Sequence, residues 1–245
     1  MSFDLHVVHP SWLTILHQGL AKMDNQYLHQ LSSSTNWLPG ATHLFSAFSV
    51  PFNQVQYVLL GESPYPRRES ANGYAFWDAA VHELWSPTGL STRVNRATSF
   101  RNLLKMLLLA EGLLQYPLIR QQDIAQIDKQ HLVQTNAELF QQMLKRGFLL
   151  LNATLALQPQ QTPKHDVRAW EVFIHHLLTC LLQKKPNISL ILFGKLAHHT
   201  INAMYYENIN KVNTLYAEHP YNLSFVTNSQ VLALFQPLHL LRVRA

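Results

Sequence analysis

The chain has 245 residues, of which 47% are hydrophobic and 13% charged, and it carries a formal net charge of +5 with a pI near 9.4. This length can bury a sizeable core, and the mild basic excess suits an anionic partner, although solvated surface lysines explain the excess equally well. Cys180 is the only cysteine, which excludes a disulfide framework, a thiolate metal cage and a cysteine-ligated iron–sulfur cluster.

The first 20 residues are interrupted by Asp4 and three histidines, so we expect no signal peptide. No apolar run approaches the roughly 20 residues needed to span a bilayer. We therefore expect a soluble, cytoplasmic protein. Its sequence shows no repeat or linker, so we expect a single domain over 1–245, with a helical segment over 1–50 and a core over 56–225.

Apolar runs and helical stripes alternate along the chain. Helical and loop segments over 10–50 come before a buried strand over 56–60. The next helix carries a stripe from Phe100 to Leu108, with Ser99 as its expected N-cap. The later predicted elements are a strand over 148–151, a helix over 167–182, a strand over 188–193, a helix from about Leu196, a strand over 212–217 and a helix over 230–235.

This alternation predicts an α/β fold with three αβα layers around a central, four-stranded, mainly parallel sheet. The loops that begin at Gly61, Asn152, Gly194 and His219 each follow a predicted strand. Because the carboxyl ends of parallel strands share one edge, we expect these loops to form one ligand site.

The loops contain several motifs in a fixed order: GESPYP over 61–66, GYAFW over 73–77, LLLN over 149–152 and HPYNLS over 219–224. Thr98-Ser99 opens the intervening helix, and Trp170-Glu171 follows later. In this order they resemble family 1 uracil-DNA glycosylases, which carry GQDPYH, GLAFS, a Pro-Ser helix start, LLLN, a Trp-Glu pair and HPSPLS. The resemblance covers roughly residues 56–225. It implies a DNA N-glycosylase that hydrolyses the bond to uracil, or to a related damaged base, and so initiates base-excision repair.

The resemblance also implies a base pocket, which an enzyme acting on a flipped-out base requires. Phe76 matches the aromatic ring that stacks on uracil. Asn152 matches the amide that reads the uracil edge, for which a group with both a donor and an acceptor is suited. Tyr65 matches the ring that occupies the space of a thymine methyl group.

The HPYNLS loop implies the remaining roles. His219 matches the histidine that donates to uracil O2 as negative charge develops there. Leu223 matches the leucine that enters the base stack, while Ser99 and Ser224 match serines that bind phosphate. Lys195, after the third predicted strand, is a further candidate phosphate contact.

The chain departs from the family most clearly at Ser63, where family 1 has an aspartate. That carboxylate orients water and offsets the positive charge on the sugar, whereas a hydroxyl can only hold water. Glu62 is the candidate replacement, although adjacent residues of an extended segment point to opposite sides. Family 4 glycosylases have a similar Gly-Glu-Ala-Pro-Gly loop, but their iron–sulfur cysteines are absent here.

Other departures affect the remaining motifs. Pro66 replaces a histidine, as in poxviral relatives, and Trp77 replaces a small serine beside Phe76. Tyr221 and Asn222 replace the Ser-Pro that grips phosphate and pinches DNA in the family.

Each assignment has a structural alternative: Phe76 and Leu223 as core residues, Asn152 as a turn cap and His219 as an ordinary loop residue. Adjacent histidines at 175–176 and 198–199 diverge by about 100° on a helix, so we expect no metal site.

We expect no cofactor, no membrane partner, a monomer, and uracil-containing DNA, single- or double-stranded, as partner. In a bacterium, such a protein would associate with the nucleoid. A non-catalytic DNA- or uracil-binding relative, acting as an interaction module, is the main alternative; an unrelated Rossmann-like hydrolase or nucleotide binder is the other.

Overall fold

The computed structural model describes residues 3–159, 161–194 and 213–243. Its strands are β1 (Tyr57–Gly61), β2 (Trp85–Ser86), β3 (Gly89–Leu90), β4 (Phe148–Asn152), β5 (Ser189–Phe193) and β6 (Asn213–Ala217). Its α-helices are α1 (Leu13–Leu20), α2 (Asn25–Ser33), α3 (Thr92–Arg96), α4 (Thr98–Ala110), α5 (Gln121–Ala125), α6 (Asn136–Lys145), α7 (Pro163–Lys184) and α8 (Ser229–Phe235). Short 3-10 helices occur over 10–12, 41–43, 46–49, 52–54, 223–227 and 236–238.

The central sheet has the strand order β4-β1-β5-β6. β1 pairs in parallel with β4 and with β5, and the first pairing extends to Gly61 opposite Asn152. All five residues of β4 and of β5 are buried, as expected for parallel strands covered on both faces. The fold confirms the prediction of a three-layer α/β architecture with a four-stranded parallel sheet. The four predicted strands start within one residue of the observed ones and end at or within one residue of them.

The described chain divides into two compact units, and the first contains the described residues within 1–78, 147–192 and 213–214. In it, α1 packs against α7, and a Cβ on Gly19 would lie 2.8 Å from the ring of Phe173, so only glycine allows this approach. Tyr27 on α2 donates to the buried carboxylate of Asp166 on α7 (2.9 Å). The apolar stripe of α7 therefore lies in the core of this unit, as its helical spacing predicts.

The second unit comprises residues 79–146, 193–195 and 215–245. Its central helix is α4, whose apolar face packs against the 3-10 turn over 223–227 and against α8. The buried carboxylate of Glu111, just after α4, accepts the amide of Leu241 (2.7 Å) and so holds the C-terminal segment. The hairpin of β2 and β3 also belongs to this unit and was not predicted.

The predicted N-cap at Ser99 is wrong. α4 begins at Thr98 with Ala97 at the N-cap position and no side-chain cap, so Ser99 lies in its first turn. The reason is α3, which ends at Arg96, one residue before Ala97, and whose own cap is Ser91. No extended residue is therefore available at position 99.

Several predictions concern residues outside the described ranges: the helix near Leu196, Lys195 and the histidines at 198–199. The single-domain prediction stays a prediction. Within the three described ranges, no helix has the length and apolarity needed to cross a bilayer. In the same ranges, no group of three or more His, Cys, Asp or Glu side chains could hold a metal ion.

Candidate functional site

In the first unit, the ends of β1 and β4 bring two loops side by side. Ala153 donates its amide to Gly61 O (2.9 Å), and Thr154 donates to Glu62 O (3.0 Å), so the chain beyond Gly61 follows the chain beyond Asn152. A Cβ on Gly61 would lie 2.6 Å from Asn152 Oδ1 and 2.8 Å from Ala75 Cβ. This position therefore requires glycine, and the side chain of Asn152 lies directly beside it.

Asn152 and the segment around Phe76 are held together by the sheet edge. Asn152 is only 2% exposed, so its amide is a buried polar group at a strand end. Ala75 donates its amide to Leu150 O (3.0 Å) in the middle of β4, which holds the next residue, Phe76, beside this strand. Phe76 adopts a φ of 64°, a conformation that bulky side chains rarely take. Backbone strain of this kind is often found at functional sites, and the role of Phe76 stays a prediction.

Tyr65 is tied to the same segment. Its hydroxyl donates to Phe76 O (3.2 Å), and the neighbouring Arg67 forms an ion pair with the buried Asp78 (3.4 Å). Burial, reinforced by the charge of Asp78, raises the pKa of Tyr65, and Arg67 partly opposes this. Tyr65 therefore keeps its hydroxyl proton. Two contacts connect its loop to the segment over 76–78: the hydrogen bond of Tyr65 to Phe76 O and the Arg67–Asp78 ion pair.

The two candidate water-activating residues lie between these groups in sequence. Glu62 is exposed overall, yet partial burial of its carboxyl raises its pKa above the ordinary value. Ser63 is half-buried. A carboxylate can accept a proton from water or oppose a developing cation, whereas the serine hydroxyl can only position water by hydrogen bonds.

In the second unit, His219 begins the loop that follows β6. Its Nδ1 accepts the backbone N–H of Tyr221 (3.1 Å), so the neutral imidazole carries its proton on Nε2. Partial burial lowers the pKa of His219, which favours this neutral form. Gly194, at a φ of 79°, lies against the imidazole, and a Cβ there would be 3.0 Å from His219 Cβ. The loop thus presents a neutral Nε2–H donor.

Beyond the buried Pro220, residues 221–224 of this loop are exposed. Tyr221 is 67% and Leu223 is 64% exposed, unusual values for side chains of this size. The exposure of Leu223 argues against its alternative assignment as a core residue. Burial acts to raise the pKa of Glu218, but hydrogen bonding by its own backbone, Ser224 and Asn228 together lowers it, and Asn228 Nδ2 donates to Glu218 Oε2 at 2.8 Å.

Each unit thus assembles a subset of the predicted residues. The first brings together Tyr65, Phe76 and Asn152, with Glu62 and Ser63 in the same loop pair. The second contains His219, Leu223 and Ser224, and its helix α4, which carries Ser99, packs against the turn over 223–227.

Two features were not predicted from the sequence. One is the Arg67–Asp78 ion pair, and the other is Asn102 on α4, which donates to the backbone of the His219 loop. The signal for Asn102 is visible in the sequence, because it is an amide within the apolar segment from Phe100 to Leu104. A polar side chain at such a position needs a buried partner.

Comparison with known proteins agrees with these observations. Residues 49–245 match the family model described as the uracil DNA glycosylase superfamily. The chain is 27% identical over 196 residues to a uracil-DNA glycosylase of Amoebophilus asiaticus, covering 77% of this chain and 74% of that protein. It is 28% identical to a uracil-DNA glycosylase of Wolinella succinogenes, with 78% and 72% covered.

Among solved structures, the chain is similar to the wild-type UNG of Nitratifractor salsuginis, with 38% identity and a TM-score of 0.91. That match covers 98% of this chain and 96% of the other. The mimivirus uracil-DNA glycosylase is 17% identical with a TM-score of 0.58, covering 87% of this chain and 70% of that one, a likeness of fold alone.

Proposed function

Because this chain belongs to the uracil DNA glycosylase superfamily, we propose that it hydrolyses the N-glycosidic bond of uracil in DNA and so initiates base-excision repair. The observation that carries the proposal is the arrangement of three residues close to the carboxyl ends of β1 and β4: Tyr65 is hydrogen-bonded to Phe76, and the buried Asn152 lies nearby. A pocket that recognises one flipped-out base needs an aromatic ring that stacks on the base, a side chain that excludes larger bases and a polar group that binds the base edge. These three residues provide those groups.

In this pocket, Asn152 reads the uracil edge, because its amide offers one donor group and one acceptor. Phe76 stacks on the base. Tyr65 excludes the methyl group of thymine, and its bond to Phe76 O keeps its ring in position. Because Tyr65 stays un-ionised, no negative charge of its own opposes the electron-rich base.

His219 stabilises the leaving group. Its Nε2–H donor is set by the bond from Tyr221 N–H to Nδ1, so no tautomer change is needed when uracil O2 becomes negative. A donor aimed in advance at developing charge is among the largest contributions to catalysis, about 10²- to 10³-fold for one such group.

Ser63 positions the attacking water, and Glu62 is the candidate source of negative charge beside the sugar. The GESPYP loop thus makes the chain a relative of the family 1 enzymes with a divergent water-activating loop. The raised pKa of Glu62 favours a different role, that of proton acceptor for the attacking water, since a carboxyl that titrates closer to neutral pH is a better base.

DNA is held by phosphate contacts of Ser99, Ser224 and Lys195, while Leu223 fills the gap left by the flipped base. The high exposure of Leu223 supports this role. The protein acts as a monomer, without a cofactor, on single- or double-stranded DNA. Its affinity for DNA should fall steeply with salt, because phosphate contacts release counterions.

The test is a single-turnover assay of free uracil from a single-uracil oligonucleotide with enzyme in excess. We expect uracil release by the wild type and a loss of about 10²- to 10³-fold in His219→Ala. His29→Ala, which removes an exposed histidine on α2, is the matched control and should keep the wild-type rate.

A second substrate tests the pocket. Tyr65→Ala should gain thymine release from a matched thymine oligonucleotide, because the shape filter is removed. Complete absence of uracil release by the wild type after long incubation, with DNA still retained, would refute the enzyme and favour a binding module.

A further inference from the structure

The loop that carries His219 is hydrogen-bonded to one buried side chain, that of Asn102. Asn102 lies in the second turn of α4 and is only 2% exposed, with the buried Phe100, Leu103 and Leu104 around it in sequence. An amide in such a position costs free energy unless it is hydrogen-bonded. The hydrogen-bond partners of the Asn102 amide therefore indicate which part of the structure this amide stabilises.

Those partners are consecutive backbone carbonyls of the loop. Asn102 Nδ2 donates to Pro220 O at 2.8 Å and also lies 3.4 Å from Tyr221 O and 3.5 Å from Asn222 O. Three successive carbonyl oxygens around one nitrogen mean that the backbone curls around the amide. A cationic side chain would be costly at this depth, and an apolar one would leave Pro220 O without this donor.

The same turn determines which nitrogen of the His219 imidazole carries the proton. Asn222 donates its amide to His219 O (2.9 Å), which closes the turn over 219–222, and within it Tyr221 N–H reaches His219 Nδ1 (3.1 Å). The direction of the Tyr221 N–H depends on the peptide plane between Pro220 and Tyr221. Asn102 holds the oxygen of that same peptide, so it fixes the orientation of the N–H bound by the histidine.

We propose that Asn102 is a positioning residue for uracil excision: by gripping Pro220 O, it orients the Tyr221 N–H that keeps the His219 proton on Nε2. The inference rests on the proposed function and names a residue through which the leaving-group donor is held. Asn102 itself does not touch the substrate. The expected consequence of its loss is a slower chemical step, because a misplacement of about 1 Å costs on the order of 10²-fold in rate.

The experiment compares Asn102→Leu, which removes the donor at similar size, with Asn136→Leu. Asn136 is a fully buried asparagine at the start of α6 in the same unit and serves as the control for losing a buried amide. At saturating enzyme, we expect uracil release to fall about 10- to 100-fold in Asn102→Leu and to stay at the wild-type rate in Asn136→Leu.

The second readout is independent of activity. The ¹⁵N shifts of the His219 ring, assigned by their loss in His219→Gln, should show a single Nε2–H tautomer in the wild type and in Asn136→Leu. In Asn102→Leu, they should show a mixture of the two tautomers. If Asn102→Leu does not fold, Asn102→Ala, which removes the amide donor without adding bulk or charge, replaces it in both measurements.

Two results would overturn the proposal: a wild-type rate and tautomer in the folded Asn102 variant, or an equal loss of rate in Asn136→Leu. If the wild-type protein releases no uracil, the proposed function fails. The tautomer comparison then still decides whether Asn102 positions the imidazole.

Discussion

Gly61 is a position where one added methyl group should disturb the proposed base pocket directly. A Cβ there would lie 2.6 Å from Asn152 Oδ1 and 2.8 Å from Ala75 Cβ, whereas ordinary contact begins at 3.4 Å. To lengthen the Cβ–Oδ1 distance from 2.6 Å to the 3.4 Å of an ordinary contact, the Asn152 amide must move by about 0.8 Å. Neither Asn152 nor Ala75 can move easily away from residue 61. The register of β1 and β4 fixes the backbone of Asn152, and the hydrogen bond to Leu150 O fixes Ala75.

For Gly61→Ala we therefore expect a loss of about 1–3 kcal/mol in the free energy of unfolding, the usual cost of overpacking. A shift of this size in the edge reader should also lower uracil release by roughly 10²-fold. Urea unfolding measures the first quantity and the single-turnover assay measures the second.

Gly40→Ala is the matched control. Gly40 has a φ of 93°, so alanine is strained there, but its Cβ would meet nothing within 4 Å. With ψ at 166°, Gly40 has a conformation essentially confined to glycine, so this variant should lose about 1–3 kcal/mol of stability and keep the wild-type rate. If Gly61→Ala released uracil as fast as Gly40→Ala, the placement of Asn152 beside Gly61 would not matter for the chemistry, and the reasoning would be wrong.

Three further predictions concern the loops. Ser63→Asp should raise the single-turnover rate by about 10²- to 10⁴-fold if no carboxylate serves the sugar; an unchanged rate, combined with a large loss in Glu62→Gln, would assign that charge to Glu62 instead. Because burial lowers the pKa of His219 below 6.5, the imidazole should stay neutral as pH falls through 6.5 and should cause no acid limb above that value; an acid limb above 6.5 that persists in Glu62→Gln would contradict this. Leu223→Ala should slow release from duplex DNA more than from single strands, because only the duplex must be opened; equal losses on both substrates would exclude the wedge.

The sheet was predictable from the sequence because three of its strands contain a short apolar run, such as residues 148–151, that is followed by a loop signal. Periodicity also located α7 and α8. The N-cap at Ser99 was not predictable from its own residue type, because it depended on where the preceding α3 ends. The hairpin of β2 and β3 has only two residues in each strand, too few for an alternating pattern.

The candidate site was predictable at the level of residue types and strand ends, but not at the level of contacts. The sequence placed Gly61 and Asn152 after two strands, and the register put them opposite each other. It contained no sign that Tyr65 donates to the backbone of Phe76, and although Asn102 stands out as an amide in an apolar segment, nothing identified Pro220 O as its partner. Such bonds join residues far apart in the chain, or join them through backbone atoms, which have no residue-specific signature.

The left-handed backbone of Phe76 has a consequence for the end of the reaction. The bonds from Ala75 N–H to Leu150 O and from Tyr65 to Phe76 O impose this conformation in the free protein. Little ordering entropy is then lost when a base arrives, and this applies to a detached base as much as to one still joined to its sugar. Free uracil should accordingly compete for the pocket, so that the enzyme is slowed by the accumulation of its own product.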